Sequence, residues 1–238
     1  MPHEQMNEKQ VAAYLHMDLR ELQKLCCRGL IPCRKVGGRF TFCKGDVDHW
    51  VEAQMHQLGP RRLAGIEKGV SEHHGFDHDD MLIQGLVPSG GLAVPLEART
   101  RDAVIRALVD LADKAGLVCC RDELIDQIRQ REELCSTAMI PGVAMPHPRH
   151  PLPYDIAASF VVAGLTPSGL PYGAEDGSLT RLFFLICCKD DRTHLHVLAR
   201  LAQMLHDAAV VEELLAVGDA AEMAATLLRL EQAVIKNS

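Results

Sequence analysis

The sequence shows no pattern of a disulfide framework or of a leader at its opening residues, no membrane-length apolar run and no excess of positive charge. The nine cysteines are odd in number and no CxxC spacing occurs among them. Six form adjacent pairs (Cys26-Cys27, Cys119-Cys120, Cys187-Cys188) inside periodic apolar segments. Neighbours of that kind read as small core residues, not as a disulfide scaffold. The opening M-P-H-E-Q-M-N-E-K has neither the basic nor the apolar region of a signal peptide. No apolar run approaches the ~18 residues of a membrane span. A protein of the reducing cytoplasm, without a membrane partner, is expected. The net charge of −7 excludes a molecule built as a whole for nonspecific nucleic-acid binding.

What remains is ordinary for a globular protein: 238 residues, 47% hydrophobic and 24% charged. The charge is uneven. Residues 1–58 hold eight Lys/Arg against seven Asp/Glu, leaving 17 against 25 for the rest. A small near-neutral module with local basic clusters precedes an acidic one. The expected division is 1–58, a linker over 59–85, and a second domain over 86–238.

In the first module, Asn7 with Gln10 fits a capping box, followed by apolar Val11, Ala12 and Leu15. Asp18 with Glu21 starts a second helix, whose Leu19, Leu22, Leu25 and Cys26 face inward and which Gly29 ends. Arg20, Lys24 and Arg28 recur every four residues and so form one basic stripe. Gly37-Gly38 is a two-residue hairpin turn between Cys33–Val36 and Arg39–Phe42. Asp46 begins a third helix carrying Val47, Trp50 and Val51. The layout is a winged helix-turn-helix, with the second helix suited to a DNA major groove and Arg34, Lys35 and Arg39 suited to phosphates. The runs K-Q-V-A-A-Y-L, R-G-L-I-P, K-V-G-G-R-F-T-F and D-V-D-H-W resemble the excisionase family of DNA-binding modules, relatives of the MerR type. Asp18 and Glu21 stand where that family usually has neutral or basic residues, and a carboxylate repels phosphate.

The linker holds E-H-H-G-F-D-H-D-D. His73, His74 and His78 among acids suggest metal ligands, but their spacing matches no closed zinc pattern, so a solvated segment is expected. No metal and no cofactor is assigned to the chain.

The second module alternates helices with buried strands. Helices are expected from Arg101, from Asp122, from about Asp191, and over about 209–216 and 220–233. Strands are expected over Ile156–Ala163 and Leu182–Cys188, the latter covered on both faces. This is an α/β domain in layers. Pro146 and Pro148 hold His147 on a stiff, extended path. His194, Leu198, Leu201 and Leu205 share one helix stripe facing the sheet, while His196, Arg200 and Gln203 fall on the opposite, solvated face. His194 also lies in a first helical turn, where free amides and the dipole favour an anion.

The motifs R-E-E-L-C-S-T, G-V-A-M-P-H and T-H-L-H-V-L-A-R-L, in that order, are similar to the IIA domains of the bacterial phosphotransferase system, of the mannitol/fructose and nitrogen-regulatory type. The resemblance implies a mixed sheet flanked by helices. It implies that His147 accepts a phosphoryl group from phospho-HPr, with His194 as second active-site histidine and Arg131 beside the phosphate. Ser136 and Thr137 would lie in the phosphate neighbourhood. Pro148 stands where the family usually has a small residue, and it removes a backbone N–H that could bond phosphate. Three functions follow. One is a regulator whose phosphorylation biases DNA or protein binding. The others are a phosphocarrier passing phosphate to a partner, and an unphosphorylated interaction protein.

Overall fold

The computed structural model describes residues 4–55, 58–74 and 81–237. In the first module, β1 (Gln5–Asn7) leads into α1 (Glu8–Tyr14), then α2 (Leu19–Cys27), β2 (Arg34–Val36), β3 (Arg39–Cys43) and α3 (Lys44–Gln54). Asn7 and Gln10 form the expected capping box, with Asn7 accepting from the Lys9 and Gln10 amides. Gly37 and Gly38 have φ of 58° and 83°, the pair of positive values a tight hairpin needs. β3 is the centre of a three-stranded antiparallel sheet, because β1 pairs with it opposite β2. That first strand is too short and too polar to register as a period-2 pattern.

Residues 59–85, expected as a linker, carry two helices among the described residues. α4 (Pro60–His74) is a helix of 15 residues, followed by α5 (Leu82–Leu86). The linker histidines weighed as metal ligands cannot be placed: His78, and the side chains of His73 and His74, lie outside the described residues. Two glycines one turn apart let α4 press on the end of α1. A Cβ at Gly69 would meet the Tyr14 carbonyl oxygen at 2.6 Å, and one at Gly65 would meet the His16 ring at 2.7 Å.

The second module contains β4 (Leu92–Ala93), α6 (Arg101–Lys114), α7 (Arg121–Leu134), β5 (Val143–Ala144), β6 (Phe160–Leu170), β7 (Thr180–Cys187), α8 (Asp191–Met204), α9 (Ala208–Leu215) and α10 (Ala220–Asn237). The sheet is mixed, in the order β4-β6-β7-β5: β6 and β7 are antiparallel, and each edge strand is parallel to its neighbour. Alternate residues of the central strands point to opposite faces. Val162, Phe183 and Leu185 join Leu108, Leu124 and Ile128 of α6 and α7 in one core. Val161, Phe184 and Ile186 join Leu198, Leu201 and Leu227 of α8 and α10 in the other. The α/β layering expected from the strands and helices holds, although β6 starts at Phe160 and Ile156 makes only an isolated bridge to Val118.

The second core is continuous with that of the first module through Leu63 and Ile66 of α4. This corrects the reading of α8. His196 and Arg200, expected on a solvated face, are 1% and 0% exposed. Periodicity shows that two stripes differ in polarity, but not that a helix from the linker covers the polar one. Glu67 of α4 accepts from His196 Nε2 (2.9 Å), Arg200 Nε (2.5 Å) and the Gln203 amide. Glu231 of α10 takes the other side of Arg200 at 3.2 Å and accepts from the amides of Ile83 and Gln84 in α5. Leu134, the last residue of α7, is exposed.

Candidate functional site

The short β5 leads directly into Met145-Pro146-His147. Ile186 N–H donates to the Pro146 carbonyl (3.0 Å), and Leu152 N–H donates to Cys188 (2.9 Å), so the chain on both sides of His147 stays bound to β7 and its extension. Two prolines and these two bonds set His147 at the end of the sheet, beside the start of α8. His147 is 4% exposed. Its Nδ1 lies 2.7 Å from the Met145 carbonyl oxygen. A carbonyl only accepts, so Nδ1 carries the proton and Nε2 holds the lone pair. Arg131, near the end of α7, agrees with that tautomer: its Nε–H donates to His147 Nε2 at 3.2 Å. The rest of the guanidinium is anchored, with one terminal nitrogen donating to the Cys135 carbonyl at 3.0 Å.

Burial, with the charges of His194 and Arg131 nearby, pushes the His147 pKa down to about 3, so the ring is neutral. His194 faces it, with ring centroids 4.9 Å apart. Burial opposes charge on His194 too. Hydrogen bonds to Cys188 and Glu52, and the Glu52 charge, outweigh it and push the pKa up to about 10. One ring is a lone-pair donor and the other a hydrogen-bond-donating cation, an assignment of opposite roles by environment.

His147, Arg131 and His194 therefore come together. Thr137 lines the same cavity of about 170 Å³, but its hydroxyl and amide both go to the buried Glu132 carboxylate (2.8 and 2.7 Å). Ser136 Oγ donates to the Tyr172 carbonyl instead. At the start of α8, two of the first-turn amides are already bonded. Thr193 N–H is taken by the Asp190 side chain (2.9 Å) and His194 N–H by the Asp190 carbonyl (3.2 Å). The helix caps itself, and the positive groups facing Nε2 are side chains.

Glu52, near the end of α3 in the first module, gave no signal in the sequence. Its Oε1 lies 3.2 Å from His194 Nε2, its Oε2 4.0 Å from His147 Nε2, and Oε2 is also 3.3 Å from His49 Nδ1. Burial disfavours its charge, but the bonds from His194 and His49 hold its pKa well below the usual carboxylate value. An acid on a helix of ordinary composition gives no warning of this; only docking of the two modules brings it there. Among the described residues, Glu52, His147 and His194 are also the set whose ligand atoms lie close enough, within 4.8 Å, to hold a metal ion. The Arg131 guanidinium, 3.2 Å from His147 Nε2, adds a fixed positive charge beside that point, which opposes a cation there.

The six basic residues read as DNA contacts are all exposed: Arg20 and Lys24 on α2, Arg28 at its C-cap, Arg34 and Lys35 on β2, and Arg39 on β3. Lys35 lies over the Phe40 ring. Of the two carboxylates expected to oppose phosphate, Asp18 caps α2 through the Arg20 amide (2.8 Å) and Glu21 pairs with Arg62 of α4 (3.0 Å).

No helix among the described residues is long and apolar enough to cross a membrane. Residues 90–229 match the family model described as "Phosphoenolpyruvate-dependent sugar phosphotransferase system, EIIA 2", and residues 6–55 match a helix-turn-helix domain model. The "Nitrogen regulatory protein" of Bradyrhizobium diazoefficiens is 31% identical over 119 residues, covering 48% of this chain and 76% of that protein. The "PTS system fructose-specific EIIABC component" of Bacillus subtilis is 29% identical over 137 residues, 57% of this chain but 21% of the relative, so the chain spans about a fifth of that protein's length. The fold is also that of nitrogen regulatory protein IIA-Ntr from Neisseria meningitidis: TM-score 0.56, 24% identity, 61% of this chain and 99% of that structure. The chain thus belongs to the EIIA 2 family of the phosphoenolpyruvate-dependent sugar phosphotransferase system, carried behind a helix-turn-helix domain.

Proposed function

We propose that this protein is a regulator in which phosphorylation of His147 by phospho-HPr, or a carrier like it, controls the helix-turn-helix module. The observation that carries this reading is the His147 Nε2 lone pair, directed at a point flanked by Arg131 and His194. In the transfer, Nε2 attacks phosphorus as the P–N bond to the carrier's imidazole breaks, and that electron pair returns to the carrier's ring nitrogen. His147 keeps its Nδ1 proton on the Met145 carbonyl, so the ring's new positive charge is shared with an acceptor already in place. The transition state is loose and highly charged, and catalysis consists of positioning and neutralisation. Arg131 Nε–H, released from Nε2, can turn to a phosphoryl oxygen, and protonated His194 can donate to another.

A phosphocarrier passing phosphate to a partner is the second reading, favoured by the likeness to a fructose-specific EIIABC component. An unphosphorylated interaction protein is the third, favoured by Pro148 and by the burial of His147. Incubation with the general phosphotransferase proteins and labelled phosphoenolpyruvate separates them. The regulator and carrier readings expect one acid-labile, base-stable phosphoryl group, lost in His147→Ala. Label that survives the substitution removes both, as does its absence from the wild type and from a variant with the site opened. Label that chases onto an added EIIB-type acceptor selects the carrier.

DNA as the partner rests on the exposed basic stripe and hairpin. Binding should fall by roughly tenfold per lost contact in Lys24→Ala or Arg39→Ala at about 1–2 kcal/mol each, and weaken steeply with salt. Binding independent of salt would retire DNA in favour of a protein target.

A further inference from the structure

His147 cannot be reached by a protein donor in the conformation described. The imidazole is buried, and the helix-turn-helix module closes the approach to Nε2 with α3. The side chain it inserts is an anion. Glu52 reaches His194 Nε2 at 3.2 Å and stands 4.0 Å from His147 Nε2, with its own side chain only 10% exposed. A phosphoryl group bonded to Nε2 would need that same space. Its oxygens would also need the same donor, since His194 Nε2 offers one N–H and Glu52 already accepts it.

The contact does not stand alone. His49, one turn earlier on α3, bonds the same carboxylate at 3.3 Å, and its ring lies 5.9 Å from that of His150, just beyond the active loop. Met55 at the end of α3 and Leu63 of α4 line the cavity beside Arg131. The module is seated by apolar and polar contacts together, and Glu52 is its only acid in the site among the described residues.

We propose that α3 is a built-in occupant of the phosphoryl-acceptor site, in which the Glu52 carboxylate takes the place of the phosphoryl group. Seating of α3 and phosphorylation of His147 exclude each other. By linkage, the factor by which the seated helix weakens phosphorylation is the factor by which phosphorylation weakens the seating. α4 remains held on α8 through Glu67, so it is α3 and the hairpin ahead of it that are freed. The inference rests on the phosphoacceptor reading for its trigger. The occupancy by Glu52 can be tested without it.

The experiment uses the full chain as wild type and as Glu52→Gln, which keeps the shape and removes the charge. Two quantities are read: the initial rate of phosphorylation at limiting phospho-HPr, and hydrogen exchange of the α3 amides by mass spectrometry. Glu52→Gln should accept phosphate roughly tenfold faster or more, because the open form is no longer a minor population. Its α3 amides should exchange faster than those of the unphosphorylated wild type, and phosphorylating the wild type should have the same effect. Label on Glu52→Gln but not on the wild type supports the proposal in its strongest form. Equal rates, with α3 equally protected before and after phosphorylation, would overturn it. If neither protein takes label, the phosphoacceptor reading falls. Faster α3 exchange in Glu52→Gln then still supports the occupancy, and unchanged exchange overturns that too.

Discussion

Glu67→Ala should lower the free energy of unfolding by about 3–5 kcal/mol, the cost of removing one member of a buried ion-pair network. Glu67 is fully buried on α4 and accepts from three side chains of α8: His196, Arg200 and Gln203. Burial works against its charge, but His196 and Arg200 outweigh that and keep its pKa below the usual value. Without the carboxylate, the Arg200 charge, itself fully buried, keeps Glu231 at 3.2 Å but loses its 2.5 Å contact with Glu67. The exposed pair Glu21–Arg62 also ties α4 to the rest of the chain, at 3.0 Å, with side chains 48% and 29% exposed. Solvent screening limits such a pair to about 0–1 kcal/mol, so Glu21→Ala is the matched control. Urea unfolding followed by circular dichroism measures both. A Glu67→Ala cost no larger than that of Glu21→Ala would mean that α4 is not held by this network.

Stability should also fall on the acid side through His147. Its pKa is near the ordinary 6.5 when unfolded and about 3 when folded. Between those values the unfolded chain binds a proton that the folded chain does not. Stability is therefore fully present above about pH 6.5 and is lost as pH falls toward 3. Each pH unit in that window costs about 1.4 kcal/mol, so the total is on the order of 3–5 kcal/mol. His194 has the opposite sense. Its pKa of about 10 when folded lies above the unfolded value, so its contribution is complete below about pH 6.5 and is lost as pH rises through 10. The two limbs place a maximum near pH 6.5. Melting temperatures of wild type and His147→Gln, measured from pH 4 to 8, test the acid limb. The difference between the curves cancels carboxylates common to both proteins, and it should change steadily below pH 6.5. A flat difference would show that His147 is not held neutral by burial.

Much of the chain was legible before folding because its signals are local. The Asn7–Gln10 capping box, the Gly37-Gly38 turn, the long apolar run of β7 and the start of α8 near Asp191 each depend on residues within one element. The motifs around Arg131, His147 and His194 were readable for the same reason. What failed was long-range. The polar stripe of α8 was assigned to solvent because its residues are polar, and polarity does not distinguish water from a buried partner such as Glu67. Glu52 carries no local signal, because its importance lies in what stands opposite it, 95 residues away at His147 and 142 away at His194.

By itself, then, the amino-acid sequence determined two modules, their helices and strands, and a histidine held stiffly between prolines. Periodicity, capping and turn chemistry act over a few residues and leave their pattern in the chain. Only the tertiary structure decided that the modules share a core, that Arg200 is buried against two carboxylates, and that the first module's own acid fills the second module's site. Those outcomes depend on which surfaces meet, and the energies that select them come from desolvation and charge pairing across elements that sequence order does not bring together.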